Sequence, residues 1–161
     1  MINMEDSFLT LKIRGSRLVA VNIIYLYLMK LKSNELAGIP MDKHCDIIKS
    51  IAQDVFMSYS YKFKVDEKFV IKLVRGLNCL DKEYLAISKC LQGDWTVDSI
   101  DLKILSIFLA AYKEFCNIPR TNSKNYKAIL TSEYVSLTSQ VFKNHNGSIK
   151  FVNGVLDSLL Q

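Results

Sequence analysis

Apolar residues recur at spacings of three and four along almost the whole chain, which is the signature of amphipathic α-helices. Leu18, Val21, Ile24, Tyr25 and Leu28 predict a first helix from about Leu11, with Gly38 and Pro40 breaking it. Ile47, Ile48, Ile51, Val55, Phe56 and Tyr59 predict a second helix, capped near Asp42, and 58–64 is a connector. From Phe69 to Leu91 the rhythm runs on too long for an average helix, so a break is expected between Gly76 and Asp81. Ile100, Ile104, Ile107, Phe108, Ala111 and Phe115 mark the most hydrophobic helix, expected to be central and bounded by Asn117-Ile118-Pro119. A polar connection from Arg120 to Asn125 leads to a stripe at Leu130, Tyr134, Leu137 and Val141. The last helix carries Val152, Val155, Leu156 and Leu159.

Strict alternation of apolar and polar residues between turn signals is absent, and Asn146-Gly147 separates two helical patterns, not two strands. The fold class is therefore all-α. At 161 residues the chain is one domain by length, with residues 1–10 lacking periodicity and read as an N-terminal extension to 11–161. Half of the residues are hydrophobic and only two are proline, so the chain should fold by itself.

The longest apolar run, Leu18 to Met29, is about a dozen residues and is short of the roughly 20 needed to span a bilayer. Four cysteines without a CxxC pair, and an N-terminus without a secretory pattern, imply a reduced, cytoplasmic protein away from membranes. The net charge of +5 suits a phosphate-bearing or acidic partner, although only four of the 21 basic residues are arginine. Lys12, Arg14 and Arg17 place three of these charges in the opening turns of the first helix.

Phosphate-binding, dinucleotide, nucleophile-elbow and zinc-protease motifs are all missing, so the chain is not read as an enzyme and no cofactor is implied. His44 beside Cys45, and His145 in a turn, lack the ligand spacing of a zinc site, and structural roles are expected. Gly154 inside a helix costs roughly 1 kcal/mol relative to alanine, which implies a packing reason such as close approach of a neighbouring helix, with Asn153 bonding across it. Lys150 and Phe151, at the start of that helix, pair a base with an aromatic ring and are candidates for phosphate and base contact.

Phe151-Val152-Asn153-Gly154-Val155-Leu156-Asp157 closely resembles the signature that ends domains of the NusB family. The stretch Ser16 to Tyr25 is similar to that family's opening motif at Arg17, Ala20 and Tyr25. Trp95 followed by Asp101, Ile104 and Leu105, and then Ser132-Glu133, resemble its later steps. The resemblance implies a bundle of two packed helical subdomains that binds the boxA element of ribosomal RNA transcripts as single strand. It implies action with NusE, a small-subunit ribosomal protein, in a larger transcription antitermination complex with other Nus factors and RNA polymerase. Lys12, Arg14 and Arg17 would then be phosphate contacts, Tyr25 and Phe151 aromatic contacts, with Lys150 beside them. Asp101 and Glu133 would face the protein partner.

The chain departs from the family where a run of arginines is replaced by Ile13-Arg14-Gly15, which lowers the expected phosphate affinity. Ala110-Ala111 stands in place of a Tyr-Glu pair, and the connection from Arg120 to Lys127 is several residues longer. The alternative expectation is a scaffold or interaction module of the same fold with weakened RNA binding. A domain with exposed Tyr and Phe can exist as a monomer or as a homodimer.

Overall fold

The computed structural model describes residues 4–118 and 125–161, so Pro119 and the start of the polar connection at Arg120 lie outside the described residues. The described residues form α-helices and short 3-10 turns with no strand. They divide into two compact units, Met1–Asn78 and Cys79–Gln161.

In the first unit α1 (Met4–Lys32) packs against α2 (His44–Tyr59) and α3 (Glu67–Val74). α1 takes in residues 4–10, which sequence assigns to an extension. Its buried apolar set is Val19, Ala20, Val21, Ile23, Ile24, Tyr27 and Leu28, whereas Leu18 and Tyr25 of the expected stripe are only half-buried. Apolar side chains fill nearly every position from 18 to 29, so spacing alone does not fix which face turns inward. Asp42 does not cap α2: it lies in the 3-10 turn Met41–Lys43, which runs directly into the helix. At α3 the Asp66 carboxylate accepts the Phe69 N–H at 3.1 Å, a side-chain cap on an otherwise orphan donor.

His44 is buried, with Tyr27 Oη 2.9 Å from its Nδ1 and the Ile39 carbonyl 3.2 Å from its Nε2. Both ring nitrogens are thus engaged if Nε2 carries the proton and Nδ1 accepts from the phenol. This is the structural role expected of a core histidine.

The second unit contains α4 (Asp81–Cys90), the 3-10 turn Val97–Ser99, α5 (Leu102–Asn117), α6 (Tyr126–Val141) and α7 (Asn146–Leu159). The expected break between Gly76 and Asp81 separates α3 from α4. α5 contacts α4, α6 and α7, and its residues from Ile104 to Ala111 are all buried, as expected of a central helix.

Burial extends to two charged residues of α5. Lys113 Nζ lies 3.0 Å from Glu83 Oε1 of α4, with side chains 4% and 17% exposed. Glu114 accepts a hydrogen bond from the buried Tyr134 hydroxyl of α6 at 2.8 Å. Such groups remain charged in a core only when paired, because desolvation of a lone ion costs several kcal/mol.

Candidate nucleic-acid interface

α7 begins earlier than its apolar stripe indicates, at Asn146. His145 caps it by accepting the Ser148 N–H on Nδ1 at 3.2 Å. Lys150 and Phe151 consequently sit beyond the first turn, and the exposed amides of a helix N-terminus are not at their disposal. What surrounds them is an aromatic ladder. Fully buried Phe108 of α5 stands 6.0 Å, centroid to centroid, from half-buried Phe151, and Phe151 stands 5.2 Å from Trp95 at a tilt of 36°. Trp95 is 52% exposed, so the indole is the outermost rung and Phe151 lies beneath it.

The turn that presents Trp95 is held locally. Gly93 adopts a φ of 64°, a left-handed conformation open to glycine at little cost. The Ser99 hydroxyl accepts from the Thr96 N–H at 2.9 Å and donates to the Thr96 carbonyl at 2.8 Å. Trp95 and Phe151, with Lys150, Asp94, Cys90 and Gly154, line an open groove of about 720 Å³. Partial burial pushes the Cys90 thiol up from its ordinary pKa, so it stays protonated and is a poor nucleophile at neutral pH.

Gly154 differs from the sequence expectation. It is exposed, and a Cβ built on it would meet nothing within 4 Å. Among the described residues no neighbouring helix uses the missing side chain; the glycine instead leaves backbone bare in the groove wall. Asn153 is exposed too, while Val152, Val155 and Leu156 of the same motif are buried as expected.

The cations of α1 do not form one face. Lys12 and Arg14 are two residues apart and point to opposite sides of the helix. Arg14 is exposed, Lys12 Nζ is 3.8 Å from the Asp66 carboxylate, and Arg17 is buried, with 8% of its surface exposed. Tyr25 is half-buried. These residues belong to Met1–Asn78, whereas Lys150 and Phe151 belong to the other unit.

Asp101 is the N-cap of α5, its carboxylate accepting from the N–H groups of Lys103 at 2.8 Å and Ile104 at 3.4 Å. It remains exposed, so one residue both starts the central helix and presents charge at the surface. Glu133 is half-buried on α6. Among the described residues no three His, Cys, Asp or Glu side chains gather as a metal site.

Sequence reasoning singled out Phe151 and passed over Trp95 as a ligand-facing group, although the indole is the ring with an open face. The available signal was a lone tryptophan within Gly93-Asp94-Trp95-Thr96, a turn where an aromatic is hard to bury. Compared with protein-family models, with curated proteins and with solved structures, the chain matches none.

Proposed function

We propose that the chain binds single-stranded RNA without chemical turnover, as a transcription antitermination factor of the NusB kind. The substrate on this reading is boxA-like RNA, bound together with NusE within a larger cytoplasmic complex of Nus factors and RNA polymerase. One observation carries it: a half-exposed indole tilted against Phe151, beside Lys150, over a groove with bare backbone at Gly154. A base can stack on an open aromatic face while a lysine meets its phosphate, and close approach to backbone needs a residue without a side chain.

Fluorescence anisotropy with a labelled boxA oligonucleotide, with and without NusE, tests this reading. Trp95→Ala should weaken binding about tenfold, within the range of one base stack, and a scrambled sequence should bind more weakly than boxA. No binding by the wild-type chain, with or without NusE, overturns it.

The interaction-module alternative is favoured by the burial of Arg17 and the Lys12 to Asp66 pair, which together leave α1 less cation to offer. Capture of NusE by a wild-type chain that ignores RNA would select it. Lys12→Glu with Arg14→Glu is the suitable probe, since Arg17 is buried and its replacement would disturb the fold.

A further inference from the structure

Between α2 and α3 the sequence Tyr59-Ser60-Tyr61-Lys62-Phe63-Lys64 alternates aromatic residues first with serine and then with lysine. Polar and ring contacts hold this connector on α1. The Asn22 amide donates to the Tyr59 hydroxyl at 2.8 Å, and the Ser16 hydroxyl accepts the Asp66 N–H at 2.8 Å. Lys12 lies 3.8 Å from the Asp66 carboxylate. The Phe63 ring covers Gly15 so closely that a Cβ there would stand 2.5 Å from Cδ2.

Tyr59 and Phe63 face each other with centroids 5.4 Å apart, which uses both rings in holding the segment down. Tyr61, between them, is 96% exposed. Lys62 reaches over the Tyr59 ring, 5.3 Å from its centroid, and Lys64 is exposed. Lys64 also lines, with Lys12, Leu11 and Phe63, a hollow of about 180 Å³. A fully solvated phenol on a segment pinned at both flanks gains the fold little, yet it is a stacking face that loses little freedom on binding.

Gly15 gives this arrangement its meaning. A Cβ at this position would collide with the Phe63 ring. The missing side chain is therefore the condition on which the connector docks, and docking sets Lys64 at the same hollow as Lys12.

We propose that Tyr61, Lys62 and Lys64 form a second RNA contact, in which Tyr61 stacks one base and the two lysines take the adjoining phosphates. The inference rests on the RNA-binding reading above and adds a surface to it. A single strand fits this segment better than an acidic protein does, because ring and cation alternate along it as base and phosphate alternate along the strand. The Asp66 carboxylate beside it is engaged by Lys12 and by the Phe69 N–H, while the Ser16 hydroxyl takes its backbone N–H.

The test uses the full chain, with boxA RNA and oligouridine of equal length, by anisotropy across a salt series. Tyr61→Ala should weaken binding to both RNAs about tenfold. Lys62→Gln with Lys64→Gln should reduce the slope of log affinity against log salt by about 1.4, at about 0.7 for each phosphate contact on a single strand. The Tyr61→Ala melt should match wild type, since that side chain is 96% exposed. Wild-type RNA binding that neither variant alters overturns the connector proposal and leaves the RNA reading standing. A wild-type chain that binds no RNA overturns both. Variants that lose NusE while keeping RNA also overturn the proposal, by making the segment a protein contact.

Discussion

Replacing Gly154 by alanine should stabilise the chain and weaken its RNA binding together. In a helix interior alanine is favoured over glycine by roughly 1 kcal/mol, through lower backbone entropy in the unfolded chain. The added methyl meets no atom within 4 Å, so no steric cost offsets that gain. The midpoint of thermal unfolding should rise by about 2–4 °C if the whole chain melts as one, and by up to about 8 °C if the unit carrying α7 melts alone. The same methyl stands in the groove beside Phe151 and should lower affinity for boxA RNA several-fold. Gly15→Ala is the contrasting control, because its Cβ would lie 2.5 Å and 2.6 Å from two carbons of Phe63. Overpacking of this kind costs about 1–3 kcal/mol, enough to cancel or exceed the helix gain. Circular dichroism melts and RNA titrations of both variants decide the matter. A Gly154→Ala chain that melts below wild type would show the groove to be filled in solution, and one that melts higher with undiminished RNA affinity would remove the groove from the ligand's path.

Asp101→Ala removes an N-cap and should cost about 1 kcal/mol in urea unfolding, while Asp101→Asn should be close to neutral. Lys113→Met strands the Glu83 carboxylate, 17% exposed, and should cost about 3–5 kcal/mol, with a second change of Glu83→Leu recovering most of it. Tyr84 and Tyr112 are held above their ordinary pKa of 10.0, chiefly by burial. Native protein therefore binds their protons more tightly than unfolded chain does. Their contribution is complete below about pH 10 and should fall as pH rises through the raised values, which melts along an alkaline series would reveal. Tyr84→Phe with Tyr112→Phe should flatten that fall.

The helical rhythm of the sequence carries the all-α fold and the central place of α5, because burial on one side imposes a spacing that is visible residue by residue. It is silent where spacing is not the cause. The buried Lys113 and Glu83 pair joins residues thirty positions apart, and neither departs from the pattern of a solvated charge. α1 begins at Met4 through residues with no apolar stripe, and α7 begins at Asn146-Gly147, two turn formers that a histidine cap draws into the helix. In the candidate site Lys150 and Phe151 were legible as a base beside a ring. The indole above them was not, since only the fold brings residues 95 and 151 together. Gly154 was legible as an anomaly but not as to its cause, because a glycine that admits a helix and one that admits a ligand look alike in sequence.

The chain has a single tryptophan, so its emission comes from one place. That indole lies half-exposed on Phe151 in the Cys79–Gln161 unit, and a ligand settling against it would change its quantum yield and wavelength without any label. The Met1–Asn78 unit has no tryptophan and is optically dark at that wavelength. Following the same thermal ramp by tryptophan emission and by total helix signal would therefore separate the unfolding of one unit from the unfolding of both.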